Sequence, residues 1–402
     1  MTIKVSIIGV AKSGTSALYS SVKAALPVPR RLLFEPTNAA ELAYVTASDT
    51  ENGLTKLMFG AAKRQDYDPA QFTHNIAIVR DPRDTVVSST LFRFNRLKLL
   101  NNAELFDTLV AMFERKEADP KSVSMLEILE AAGAGEAEKL KDGFADLLGT
   151  YSDYLDEGHH HVLTFDQMIE GDFDKLNAYL GLTLVPPPPL GGWVSKISRK
   201  GESGDWKNWF TEEDVAYFRD AMDPFIQKYG FDVEWSLNDM PTIEPAHCSE
   251  YIRRLSEARK VDPNLKSDVG SDMESLLSAA EDGKVNALMK LVDIHDGDGP
   301  DADPSKLLGL TRQLADMGYP KYLVKTARLL IQNDQEDLAI TYLDDGIKRG
   351  VPGAFLVRAN RYLHHKNDAD IPIAVDLLER GAELGNKTCI KRLKTLKERN
   401  VI

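Results

Sequence analysis

Short apolar, β-branched runs recur through the first 236 residues and then stop. Val5–Val10, Asn75–Val79 and His161–Phe165 are such runs, with helical patterns between them. Runs of this length fit strands buried in a parallel sheet with helices packed over it. An α/β domain over 1–236 is therefore expected. From Ser236 to Pro245 the chain turns to Asn, Asp and Pro, and Met240-Pro241 and Glu244-Pro245 cannot continue a helix. Residues 237–250 read as a linker, and 251–402 as an all-α domain.

In that second part Gly283, Gly318, Gly350 and Gly385 stand 35, 32 and 35 residues apart, each after a helical segment. Glycine suits the left-handed position just past a helix end. Four unrelated caps would use the same residue, but a period of this size points to stacked helix pairs, a solenoid. The last unit carries Ala354, Leu356, Ala359, Tyr362, Asp370, Ala374, Leu377, Leu378, Ala382, Gly385 and Asn386. It resembles the Sel-one-like, tetratricopeptide-type repeats, which implies a face for a protein or peptide partner.

A chain of 402 residues exceeds what one core usually organises. Its net charge of −13 argues against a general nucleic-acid binder, which needs a basic face. Two cysteines, Cys248 and Cys389, exclude a disulfide framework. No run approaches the roughly 20 apolar residues of a membrane span, and Ile3–Ile8 opens as a strand with no signal sequence before it. A cytoplasmic address is expected.

The first strand runs into Gly9-Val10-Ala11-Lys12-Ser13-Gly14-Thr15-Ser16, followed by a helix with Leu18, Val22, Ala25 and Leu26 at helical spacing. Strand, small-residue loop and helix N-terminus make an anion cradle of backbone N–H groups. ATP and GTP loops place Lys-Ser/Thr directly after the second glycine. Here Thr15-Ser16 follows Gly14 and the lysine precedes it, so Lys12 is placed over the anion. An unliganded turn with a solvated lysine is the bland alternative.

A second strand ends at Arg80-Asp81-Pro82-Arg83-Asp84. Asp81 reads as an N-cap and Pro82 as the first helical residue. Arg80 therefore leaves the carboxyl end of a strand, where open α/β sheets bind ligands, with Ser88 two turns into the helix. Alternatively, Arg80 simply pairs with its neighbouring aspartates. A third stretch, Ile197-Ser198-Arg199-Lys200-Gly201-Glu202-Ser203-Gly204-Asp205-Trp206-Lys207-Asn208, sets two cations before a glycine-flanked loop that can fold over an anion.

Together these pieces resemble the sulfotransferases that use 3′-phosphoadenosine-5′-phosphosulfate (PAPS). Lys12-Ser13-Gly14-Thr15-Ser16 looks like the family's 5′-phosphosulfate loop, Arg80 with Ser88 like its 3′-phosphate motif, and Arg199-Lys200-Gly201 like its C-terminal motif. The resemblance covers roughly residues 1–235 and implies a P-loop-type sheet. Ala17 stands where small-molecule cytosolic members carry an adenine-stacking tryptophan. Leu54-Thr55-Lys56-Leu57-Met58-Phe59 lacks their catalytic histidine. Leu33-Phe34-Glu35-Pro36 instead resembles the glutamate element of carbohydrate and tyrosyl-protein sulfotransferases.

The resemblance implies that Lys12 stabilises the bridging oxygen and that the loop N–H groups, Thr15 and Ser16 hold the 5′-phosphate. Arg80, Ser88, Arg199, Lys200 and Gly201 would grip the 3′-phosphate. Glu35 would act as base, best if burial raises its pKa toward neutrality. No metal is needed. His74 is a fallback base, Trp193 a candidate adenine stack, His159-His160-His161 an unpromising metal set and Pro186–Pro189 a rigid spacer. The acceptor (sugar, peptide, lipid or small molecule) is not legible, though the helical, acidic stretch 97–158 is placed along its wall. A P-loop kinase-like phosphotransferase and a nucleotide-binding pseudoenzyme with a scaffold tail are the rival readings.

Overall fold

The computed structural model describes residues 2–62, 67–93, 102–187, 199–261, 272–364 and 367–398. The chain divides into two compact units, Met1–Lys284 and Val285–Ile402.

Five strands build the first unit: β1 (Lys4–Gly9), β2 (Arg30–Phe34), β3 (Asn52–Met58), β4 (His74–Val79) and β5 (His161–Thr164). They lie in the order β2-β3-β1-β4-β5, with every neighbouring pair parallel. Each of the first four leads into a helix: α1 (Thr15–Ala25), α2 (Ala39–Thr46), the single turn α3 (Phe59–Ala62) and α4 (Pro82–Phe92). From β1 the chain leaves toward β2, and from β4 toward β5 on the opposite side. The carboxyl ends of these two neighbours therefore flank a crevice.

Strand residues alternate between two cores, as the two-residue period requires. Ile8, Val10, Ala77 and Val79 face a cluster completed by α5 (Ala103–Ala118), α6 (Met125–Ala132) and α7 (Glu136–Asp156). Val5, Ile7, Ile76 and Ile78 face the opposite way, onto Leu18, Tyr19 and Val22 of α1. Phe165 and Met168 of α8 (Phe165–Glu170) and Leu176 of α9 (Asp174–Leu180) complete that side. Wholly buried Tyr151 of α7 sets its hydroxyl 3.1 Å from the Ile8 carbonyl and 3.2 Å from that of Ile78, spanning β1 and β4 beneath the crevice. Of the Ala131–Gly135 stretch, the two alanines end α6 and the break before α7 falls at Gly133–Gly135, where Gly135 takes a left-handed φ of 71°.

After α10 (Trp206–Trp209) and α11 (Glu212–Tyr229), the expected boundary at 236 lies inside the first unit. Ile243, Cys248 and, on α12 (Ser249–Val261), Tyr251, Ile252 and Leu255 are buried in the same core as Phe113 and Trp209. Ile252 and Leu255 each contribute roughly 1.5–3 kcal/mol by full burial. The 237–250 stretch is thus packed, not a free linker. Proline and asparagine stopped helices there without stopping the core. Helix α13 (Met273–Glu281) then ends in a turn, Asp282-Gly283-Lys284, on the outer edge of β2.

The second unit is helical throughout its described residues: α14 (Val285–His295), α15 (Pro304–Asp316), α16 (Pro320–Gln332), α17 (Glu336–Lys348), α18 (Pro352–His364), α19 (Ile371–Glu383) and α20 (Lys387–Glu398). Each packs on the next. Gly318, Gly350 and Gly385 take φ values of 90°, 69° and 83° just past helix ends, as the spacing predicts. Ala359, Ala374 and Leu378 are wholly buried where α18 packs on α19, and Ala354 is wholly buried toward Gly346 of α17. Among the described residues, no helix is long and apolar enough to cross a membrane.

Candidate functional site

The loop between β1 and α1 forms the floor of the crevice. Ser13 is buried and donates both its N–H and its hydroxyl to the Val10 carbonyl, at 3.2 and 2.8 Å, so it closes the turn. Gly14 sits at φ 100°, and a side chain there would meet the Phe165 ring. No side chain caps α1, so its first N–H groups, with buried Thr15 and half-buried Ser16, stay available to an anion. Lys12 adopts φ 68°, a left-handed conformation that side chains disfavour. Its ammonium lies 4.0 Å from the centre of the Phe92 ring. Burial, then the charges of Arg80, Arg199 and Lys56, bring Lys12 down to about 7.

Arg80 is buried and, among the described residues, forms no direct ion pair with an aspartate, although the charges of Asp84, Asp166 and Asp81 act on it from a distance. It donates from Nη1 to the Lys12 carbonyl at 3.1 Å and from Nη2 to the Glu202 carbonyl at 3.0 Å, joining the first and third loops. Its face covers the Phe165 ring at 4.1 Å, and Nε has no hydrogen-bond partner among the described residues. The local acids are otherwise engaged. Asp81 caps α4 and holds Arg83, whose guanidinium packs against Trp206 and Trp235. Asp84 accepts the N–H groups of Gly204 (2.7 Å) and Trp206 (3.0 Å), latching the third loop onto α4. Burial pushes Asp84 up to about 6 against the pull of Arg80. Ser88 is buried on α4, and among the described residues no hydrogen bond joins it to Arg80.

In the third loop the cations have carboxylate partners. Arg199 meets Asp205 at 2.6 Å, and Asp205 also accepts the Trp209 indole N–H at 2.9 Å. Lys200 meets Glu202 at 2.9 Å. Gly201 and Gly204 take φ values of 70° and 76°, giving the loop its fold-back.

Glu35 follows β2 directly, at φ 54°. Its N–H donates to the Lys56 carbonyl at 2.9 Å, extending the β2–β3 pairing by one residue. Its carboxylate is ion-paired with Lys56, whose side chain is 3% exposed against 39% for Glu35. Buried Glu41 anchors the next turn, accepting from Thr37 and Asn38. The raised pKa that would best suit a base is not what the surroundings favour. Burial does push the Glu35 carboxyl up, but the Lys56 ammonium, its hydrogen bond and the charge of Lys284 hold it below its ordinary value.

Three contributors escaped sequence reasoning. Lys56 interrupts a buried strand, and a lysine within an otherwise buried parallel strand is the signal that could have found it. Asp84 looked like an ordinary first-turn acid. Lys284 gives no local signal at all.

Other candidates lie elsewhere. His74 opens β4 at the amino end of the sheet, with Thr73 2.8 Å from its Nδ1, and so is placed away from the crevice. His159 is exposed beside Glu157, His160 bonds Tyr67, and His161 stacks on Tyr179. Among the described residues no three His, Cys, Asp or Glu side chains gather as a metal set. Trp193, Pro188 and Pro189 lie outside the described residues. A cavity of about 440 Å³ lined by Ser124, Lys207 and Thr211 contains none of the site residues. No protein-family model matches the chain, and no curated protein matches it significantly.

Proposed function

We propose that the chain is a PAPS-dependent sulfotransferase built on a P-loop-type sheet. The observation that carries this reading is that Arg80 bonds backbone carbonyls of both the first and third loops, while Lys12 feels the charges of Arg80, Arg199 and Lys56. Cations from three other stretches of the chain thus act on Lys12 in the first loop. Such clustering suits a ligand with negative charge at both ends, and a 3′-phosphate distinguishes PAPS from ATP.

Sulfuryl transfer then needs positioning and charge stabilisation. An acceptor oxygen forms the new O–S bond as the S–O bond to the 5′-phosphate breaks, leaving adenosine 3′,5′-bisphosphate. Lys12 offsets charge growing on the departing oxygen. The proton leaves the acceptor for Glu35. A carboxylate of lowered pKa is a weak base, but in a loose transition state the hydroxyl becomes acidic late, once its bond to sulfur has formed. Glu35 therefore orients the hydroxyl first and takes its proton last.

The helical unit fits a solenoid whose face takes a protein or peptide. The two buried, unpaired thiols, Cys248 and Cys389, suit a reducing, cytoplasmic setting. Calorimetry with adenosine 3′,5′-bisphosphate, ATP and AMP tests the donor assignment: strong preference for the bisphosphate supports it, and preference for ATP replaces it with the kinase reading. Labelled PAPS with a panel of acceptors then separates an enzyme from a pseudoenzyme.

A further inference from the structure

The turn after α13 is held to β2 and α1 by more contacts than a passing connection needs. The Phe34 N–H donates to the Gly283 carbonyl at 3.2 Å, so the turn pairs with the strand edge that β3 leaves open. Tyr19 of α1, wholly buried, donates its hydroxyl to the Asp282 carbonyl at 2.7 Å. Lys23, one turn further along α1, meets the Asp282 carboxylate at 2.6 Å. Gly283 sits at φ 78°, and any side chain there would run into the Leu32 carbonyl. Both its backbone angle and its clearance therefore demand glycine.

These three contacts, with the glycine that permits them, place the next residue. Lys284 is 3% exposed, with its ammonium 4.6 Å from the centre of the Phe34 ring. Lys56 lies at the same 4.6 Å from that ring, so two ammonium groups share one aromatic side chain. The residue after Phe34 is Glu35, the partly exposed carboxylate between them in charge.

We infer that Lys284 is a positioning residue for Glu35, delivered by the glycine-dependent turn on the edge of β2, so that the catalytic unit ends at Lys284 and not near 236. Lys284 is too buried to meet an acceptor and acts through Glu35. The charged groups acting on Glu35 are Lys56 from β3 and Lys284 from this turn; Glu41, on α2, is turned to Thr37 and Asn38. With one ammonium on the β3 side and a second arriving from the far end of the first unit, the carboxylate stays ionised and aimed. The assignment rests on the reading of Glu35 as the acceptor-side carboxylate.

The test uses the full chain with Lys284→Gln, Lys284→Arg and Gly283→Ala. Glu35 is followed directly by carboxyl carbon NMR, its signal assigned with Glu35→Gln, and bisphosphate affinity is measured in parallel. The expected result is an upward move of the Glu35 titration midpoint in Lys284→Gln and Gly283→Ala, with restoration in Lys284→Arg. Bisphosphate affinity should stay within about twofold, and kcat for any acceptor found should fall roughly tenfold or more, the scale of a misplaced reacting group. An unmoved midpoint in a folded Lys284→Gln protein overturns the inference, as does an equal loss in Lys284→Arg. The donor reading fails separately: a midpoint that moves in a protein with no bisphosphate affinity leaves Lys284 acting on Glu35 and removes the sulfotransferase.

Discussion

The two cationic loops of the first unit satisfy their charges in opposite ways. Around the first loop, Lys12 lies against an aromatic face and Arg80 against another, with carbonyls as its only hydrogen-bond partners among the described residues. In the third loop, Arg199 and Lys200 each meet a carboxylate. Carbonyls and ring faces orient a cation without neutralising it, and the carboxylates that act on Arg80 do so without a direct ion pair among the described residues, so the first region keeps more of its appetite for an anion. The third must exchange an acid for one. An incoming dianion should therefore gain most of its affinity from the first loop and Arg80, and the third loop should contribute shape more than energy.

Arg80→Met strikes hardest at that contrast. It removes a buried cation that fixes two loops, and bisphosphate affinity should fall by about 3 kcal/mol or more, at least a hundredfold, by calorimetry. A loss under fivefold would erase the distinction between the loops. Next comes Lys12→Met, which should raise the barrier by ~2–3 kcal/mol, the scale of removing one oxyanion donor, and lower kcat accordingly in a labelled-PAPS assay.

Proton linkage sharpens the comparison further. Lys12 is displaced from 10.5 to about 7, chiefly by burial and then by its cationic neighbours. Above pH 7 the unliganded protein sheds that proton, and a bound anion draws it back. Binding thus takes up a proton, and affinity should weaken above pH 7 by up to about tenfold per unit. Calorimetry in buffers of different ionisation enthalpy would read this uptake directly; none at pH 8 would mean that Lys12 is already charged. The ligand-free fold should itself gain stability from pH 7 toward 10.5, because the unfolded chain still holds the proton. The smallest effect belongs to Lys200→Gln. Its half-exposed pair with Glu202 and the exchange it requires limit the loss to roughly 1 kcal/mol, fivefold in bisphosphate affinity. A loss matching that of Arg80 would overturn the ranking.

Much of the sheet was legible because its strands are short, apolar and ended by chemistry: Gly9 before the first loop, Arg80-Asp81-Pro82 after β4. The strand β3 was harder, since Thr55 and Lys56 break its apolar run. Both are buried, Thr55 wholly, on a strand with neighbours on both sides. The domain limit was misread for a related reason. Proline and asparagine report where helices stop, and only three-dimensional packing shows that Cys248, Tyr251 and Leu255 return to the core of α5 and α10. Glycine spacing foresaw the helix ends, Gly283 included, yet Gly283, the first of that series, ends a helix of the first unit and closes against β2. At the site, residue types pointed to Lys12, Arg80 and Arg199, and the charges of Arg80 and Arg199 act on Lys12. They could not show that Asp205 and Glu202 already occupy two of the cations, or that Lys56 and Lys284 would hold Glu35 ionised. Such pairings join residues far apart in the chain and leave no periodic trace.

Lys12 and Glu35 stand on left-handed backbone, and Asp334 is the only other described non-glycine residue that does. A bulky residue there gives up about 1–2 kcal/mol relative to glycine. At Lys12, where the neighbouring charges also push, usefulness and durability should part company. We expect Lys12→Gly to yield a protein that outlasts its parent on heating and does nothing; one that melts no higher would show that the loop is already at ease.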